Sequence, residues 1–316
     1  CFVYSPGANT WYQQANKPTA WTAGQSGAVG FSNGIWKLVC ASGYNGSGQM
    51  NNTEIFTDTL SAPPGGNETL VLLHDSTLGT STNIGQRKAD RDTLFNALSM
   101  LISDYDVMTF DTTTSLPSLS SYKTIIIQEK SYDDPIVRYL GVTARGQLKA
   151  WLNSGTSGNK KALLSINADN GWNYSRSGSP ARDLELSQNL LKFVYQADNS
   201  GSLAPFTITG IDIDPGQNRS YSNTTPNFWP DGVSVESGGD KLYHYTGRGD
   251  DDSLTGVGYN GAGYVSATLN MDPRYFTGSF KVVLEKYIQY LVINGGTITG
   301  VQNVTSNVPE RYNLSQ

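Results

Sequence analysis

The chain has 316 residues, of which 37% are hydrophobic and 16% charged, with 34 glycines, 18 tyrosines and a net charge of −5. That length buries one large core or two smaller ones, and the apolar content with so little net charge excludes a disordered chain and suits a loop-rich extracellular protein. The charges form no basic cluster, which argues against nucleic acid as a partner, and no apolar run approaches the roughly 20 residues that cross a bilayer, so no membrane span is expected.

Residues 1–60 carry short β-like runs, "FVYS", "GAVGFS", "IWKLVCA" and "TEIFTDTL", separated by Gly and Asn turns. Cys1 and Cys40 are the only cysteines. Two are too few for a thiolate-rich metal cluster and leave either free thiols or one bridge, which would constrain the unfolded chain by ~4 kcal/mol. Residues 61–68 read as a Pro/Gly linker. Strands then follow at Thr69–His74, Tyr105–Thr109, Thr124–Gln128 and Ala162–Asn167. They alternate with helical segments: "GQRKADRDTLFNALSMLI", in which Leu94, Leu98 and Leu101 share a face, "TARGQLKAWLNSG" and "ARDLELSQNLLKFVYQ". Strands apolar throughout and separated by helices predict an α/β fold whose mostly parallel, doubly wound sheet is covered on both faces. Beyond Asn199 the pattern loosens into loops with strand-like pieces, "FTITGIDI", "GVSVESG", "KLYHYTG" and "TGVGYNGAGYVSATLNM". A last helix, "GSFKVVLEKYIQYLVING", has an apolar stripe of Val282, Val283, Leu284, Tyr287, Ile288 and Leu291 and completes the domain, 69–296. Residues 297–316 read as a tail.

Three stretches resemble known families. Tyr4 and Trp11, in "YSPGANTW", and the turn Gly43–Gly46 after "IWKLV" are similar to one Kelch-type propeller repeat, although Cys40 and Ala41 stand where that family has paired glycines. A single blade cannot bury its own faces, so residues 1–60 are expected to pair with themselves in a second copy or with another surface protein. Over roughly 68–296, the order "TLVLLHDS", "YDVMTFD", "TARGQLKAWLNSG", "KKALLSINADNGW" and "GVGYNGAGYVSATLNMDPRYF" resembles the class I glutamine amidotransferase-like domains of secreted bacterial proteins. In catalytic relatives the elbow after the "ALLSI" strand carries Cys; here Asn167, Ala168 and Asp169 stand there, and the resemblance implies a non-catalytic member of flavodoxin-like or amidotransferase-like fold. The tail "VPERYNLSQ" is similar to the lead-in of the type IX secretion sorting domain of Bacteroidota-type bacteria. That likeness implies export, removal of a sorting domain, and release or attachment at the cell surface. It also gives meaning to Asp-Ser/Thr triplets, which place candidate O-glycosylation at Thr59, Ser76, Thr93, Thr112 and Ser253.

Chemistry needs an activated nucleophile or a metal-held water. The imidazoles are His74 and His244. His74 ends the first apolar strand beside Asp75, and Asp169 follows the fourth, so His74, Asp75 and Asp169 are the candidate catalytic rim of an extracellular hydrolase. The plainer reading is that they cap loops and satisfy backbone amides. Asp212 and Asp214, expected on one face of a strand, and Asp250, Asp251 and Asp252 in a Gly-flanked loop are oxygen-rich enough for Ca²⁺, but their spacing does not fit an EF-hand, and solvated turns explain them. No other cofactor is expected. Trp172 and Tyr174 after the elbow, with Phe228, Trp229, Tyr243, Tyr245, Tyr259 and Tyr264, are candidates for glycan or protein contact; equally, Trp172 plugs the pocket and the tyrosines line the core. The leading expectation is a structural or adhesive module, part of a filament or other surface assembly, with the hydrolase and a carbohydrate-binding module as alternatives.

Overall fold

A computed structural model describes residues 2–5, 10–13, 26–32, 35–44, 47, 49–57, 68–74, 81–129, 139–198, 204–225, 228–249, 251–276 and 278–301. Cys1, Thr59, Asp75, Ser76 and Asp250 lie outside the described residues, and Cys40 is described by its backbone alone. The chain divides into two units, Cys1–Gly66 and Asn67–Gln316.

In the first unit, β1 (Phe2–Ser5) pairs antiparallel with β2 (Thr10–Gln13), setting Tyr4 opposite Trp11. A three-stranded antiparallel sheet follows: β3 (Ser26–Ser32), β4 (Ile35–Tyr44) and β5 (Gln49–Thr57). Ser32 faces Ile35, leaving Asn33-Gly34, the dipeptide that two-residue hairpin connections favour. The register of β4 on β5 shifts between Ala41 and Gly43.

The second unit is a mixed α/β structure built on one eleven-stranded sheet. Its first half holds β6 (Thr69–His74), α1 (Ser81–Leu98), β7 (Asp106–Phe110), β8 (Thr124–Gln128), α2 (Val142–Asn153), β9 (Lys161–Ile166) and α3 (Asn170–Tyr174). Next come a π-helical turn (Glu185–Leu190), β10 (Phe193–Ala197), β11 (Thr207–Gly210), β12 (Asn218–Ser220), β13 (Gly232–Val235), β14 (Asp240–Tyr245) and β15 (Leu254–Asn260). The chain returns through β16 (Tyr264–Leu269), a 3₁₀ turn (Pro273–Tyr275) and α4 (Phe280–Ile293). The sheet runs β12-β11-β14-β15-β16-β9-β8-β6-β7, with β13 on β15 and β10 on β13.

Strands β7, β6, β8, β9 and β16 are parallel, and the remainder are antiparallel. The sheet is thus mixed, with a parallel half of five strands. The loop-rich stretch after residue 204 is short strands whose alternating, half-polar wording suits antiparallel pairing. β6, β8 and β9 are buried along their whole length, as apolar strands covered on both faces must be. Val71, Leu73, Ile126, Leu164 and Ile166 point into one core with Leu94 and Leu98 of α1 and Val283, Tyr287 and Leu291 of α4. Leu70, Leu72, Ile125, Ile127 and Leu163 point into a second core with Leu148, Trp151 and Leu152 of α2. Period-two alternation thus assigns α1 and α4 to one face and α2 to the other.

Two expectations are corrected. "ARDLELSQNLLKFVYQ" is not one helix: the π-helical turn stops, Lys192 takes a left-handed φ of 62°, and Phe193-Val194-Tyr195 becomes β10 against β13. β-branched and aromatic residues there fit a pleated strand better than a helix. Asp212 and Asp214 do not share a strand face either. β11 ends at Gly210, where a Cβ would collide with the Asp214 carbonyl oxygen, and the chain bends back with Asp214 at φ 57°.

A second close approach makes a prediction. The buried Tyr287 hydroxyl of α4 occupies the space that a Cβ on Gly256 of β15 would need, and it makes no hydrogen bond among the described residues. An unpaired buried hydroxyl costs about 1–3 kcal/mol. Tyr287→Phe is expected to match or exceed the parent's urea midpoint. Gly256→Ala should unfold earlier, and Tyr287→Phe should recover part of its loss in the double variant.

Candidate functional site at the carboxyl edge of the parallel strands

The parallel strands run in the order β7-β6-β8-β9-β16, so β6 and β8 are neighbours whose following connections leave in opposite directions. Ligands of open α/β sheets bind outside the carboxyl ends at such a point. Register aligns Leu73 with Gln128, Gln128 with Ile166 and Ile166 with Leu269. The next residue on each strand, His74, Glu129, Asn167 and Asn270, therefore stands in one row on the α2 face. All four are buried. The imidazole Nδ1 of His74 lies 3.2 Å from the Gln128 carbonyl oxygen, joining β6 to β8 across the switch.

Glu129 is the hub of this row. Its Oε2 accepts from Asn167 Nδ2 at 3.1 Å, and its Oε1 accepts the Leu140 amide at 3.1 Å and a short hydrogen bond from the Tyr174 hydroxyl. Burial raises the Glu129 pKa, outweighing the bonds from Tyr174, Asn167 and Leu140 and the charge of Arg145. Arg145 reaches in from α2: Nη1 donates to the Leu140 carbonyl at 2.5 Å and Nε to Asp183 at 3.3 Å, with the guanidinium over the Tyr139 and Tyr174 rings. Leu140 is thus held by its amide and its carbonyl at once.

The elbow, Asn167–Gly171, is buried at every residue. Asn167 Oδ1 accepts the Asp169 amide at 3.0 Å, a self-closed turn of the kind Asn favours. Two other segments fasten Ala168: its amide donates to Asp272 Oδ1 at 3.1 Å, and its carbonyl accepts the Asp231 amide at 2.9 Å. Asp272 follows β16 and meets Arg274 Nη2 at 3.3 Å, while Arg274 Nη1 lies 3.4 Å from Asp90 of α1. Burial works against the Arg274 charge, yet Asp90 and Asp272 outweigh it and raise its pKa. Asp231 is fully buried and accepts the Trp172 amide on Oδ2 at 2.8 Å, and burial, then the charge of Asp169, hold its carboxyl well above the usual range.

β8 separates β6 from β9, which puts His74 and the elbow carrying Asp169 two strand spacings apart, roughly 10 Å. Asp75 is outside the described residues. Tyr174 is buried on Glu129. Trp172 is half-buried, with the Arg176 guanidinium 3.3 Å above its ring centre and Tyr195 edge-on at 6.0 Å. Tyr243 and Tyr245 are core residues, Phe228, Tyr259 and Tyr264 are half-buried, and Trp229 is 41% exposed. Asp212 accepts the Lys241 amide, Asp214 pairs with Arg219, Asp251 pairs with Lys241, and Asp252 accepts from Ser253. Among the described residues no three His, Cys, Asp or Glu side chains are grouped to hold a metal ion. Of the glycosylation candidates described, Thr93 donates to Ala89 O within α1, Ser253 is buried, and Thr112 is half-exposed in a turn.

Glu129, Asp272, Asp231, Arg145 and Arg274 take no part in the site expected from the sequence. Glu129 and Asp272 carry a legible signal, an acid directly after the apolar runs "TIIIQ" and "VSATLNM". Asp231 and Arg274 sit in irregular wording and reach the edge only through tertiary folding.

No family model matches the chain, and no curated protein matches it. Solved structures are similar to it. A β-galactosidase from Bacillus circulans sp. alkalophilus is 12% identical over 76% of this chain and 32% of its own, with a TM-score of 0.46. An exo-β-1,4-mannosidase from an Opitutaceae bacterium is 14% identical over 73% and 36%, at 0.41. The chain spans about a third of the length of these two enzymes. A ThuA-like protein from Bacteroides uniformis is 11% identical over 74% of this chain and 94% of its own, at 0.43. At such identities these are likenesses of chain trace, distant α/β neighbours that assign no reaction.

Proposed function

We propose that the second unit is a non-catalytic, doubly wound amidotransferase-like module of an exported surface protein, acting through shape and association. The observation that supports it is the occupied elbow. Asn167, Ala168 and Asp169 present no thiol or hydroxyl, they are buried, and Leu140, Asp231 and Asp272 use the bonding groups that a substrate would need. Residues 1–66, with strand edges of their own, are the element through which copies of the chain or another surface protein would join. Sedimentation of the intact chain should show concentration-dependent association that is lost when residues 1–66 are deleted. The same preparations should show no turnover of chromogenic glycosides or amides above that of Asp169→Asn; saturable turnover abolished by that substitution would establish the alternative, an extracellular hydrolase drawing on Asp169 and its neighbour Asp231.

A further inference from the structure

The elbow is covered on one side by the segment Trp229–Gly232, and three hydrogen bonds hold it there. The Asp231 amide donates to Ala168 O at 2.9 Å, the Trp172 amide donates to Asp231 Oδ2 at 2.8 Å, and the Tyr245 hydroxyl donates to Asp231 O at 2.9 Å. Every one of these passes through Asp231. Its other carboxyl oxygen, Oδ1, is buried and makes no hydrogen bond among the described residues. An ionised carboxylate with one oxygen in that state costs far more than a neutral acid does.

The charged and titratable groups around it come from each element packed against the segment. They are Asp169 on the elbow, Arg176 just after α3, Tyr195 on β10 with Asp198 past its end, and Tyr245 on β14. Three of these five are neutral or cationic at neutral pH, and two are acids that repel a charge on Asp231. Trp172, whose amide is bound by Asp231, carries Arg176 on its ring and stands at the rim of the same segment. We propose that Trp229–Gly232 is a proton-dependent clasp: while Asp231 keeps its proton the segment closes over the elbow, and loss of that proton opens it and uncovers Asn167–Trp172.

The sign follows from linkage. In the open state Asp231 is an ordinary exposed carboxyl, and in the closed state it holds its proton more tightly. Closure is therefore complete below the ordinary Asp range and weakens as pH rises toward the closed-state value, by up to about tenfold in the opening constant per pH unit. Hydrogen exchange of the intact chain, corrected for intrinsic rates, reads this out at the Trp172 and Asp231 amides between about pH 5 and about pH 8. The wild type should lose protection at both amides as pH rises, and by more than the amides of β8 do. Asp231→Asn keeps the shape and all three hydrogen-bonding positions and should make protection independent of pH to within about twofold; Asp169→Asn should shrink the dependence in the same direction. If the two amides show a flat profile in the wild type, or if the slope survives in both variants, the clasp is not proton-dependent. Should Asp231→Asn fail to fold, the slope in Asp169→Asn decides alone.

Discussion

Arg274→Ala is expected to cost about 3–5 kcal/mol, because it removes the guanidinium that two buried carboxylates share. Asp90 and Asp272 are both fully buried, and the Arg274 side chain is 6% exposed between them. Asp272 also receives the Ala168 amide, so the loss reaches the elbow. Urea denaturation checks the magnitude. The mechanism has its own signature: with the guanidinium gone, the two buried carboxyls bind protons more readily on folding, so the variant should recover part of its deficit in mild acid while the wild type does not. Arg274→Met, which restores packing without charge, should remain destabilised, and adding Asp272→Asn should improve it.

Glu129→Ala should cost about 3 kcal/mol or more, since it leaves the Tyr174 hydroxyl, the Leu140 amide and the Asn167 amide group without their acceptor, at roughly 1–3 kcal/mol each before relaxation. All three bonds are buried. Glu129→Gln keeps an acceptor and the volume, and is expected to lose far less. Because burial raises the Glu129 pKa, its contribution is whole below the ordinary Glu range and declines as pH rises through the raised value. In Glu129→Gln that part of the stability-pH profile should flatten. A Glu129→Gln variant as damaged as Glu129→Ala would show that the charge and not the acceptor geometry matters.

Much of the α/β framework is legible in the chain because each strand states its own environment. Leu70–Leu73 and Ile125–Ile127 are apolar throughout, as the middle of a strand covered on both faces must be. Leu94 and Leu98 declare the buried stripe of α1 by spacing alone, and Leu101, just past its end, joins the same core. The antiparallel half is blurred for the converse reason: strands of three to seven residues such as Gly232–Val235 carry too little alternation to stand out from the Gly and Asn around them. The candidate edge is half legible. Asn167–Asp169 do stand at a strand end, but the chain gives no sign that His74 and Asp169 stay apart, since strand order alone decides that β8 stands between them. Order is a property of pairing partners far apart in the chain, and so are Asp231 and Arg274, whose importance comes from what they touch.

β9 and β16 lie side by side in the middle of the sheet, yet about a hundred residues separate them along the chain. Until the ribosome has delivered Tyr264–Leu269, β9 has a bare hydrogen-bonding flank at the centre of what will become the sheet. The assembly step is therefore late and entropically demanding, and a chain cut short before β16 carries a sticky seam that invites intermolecular strand pairing.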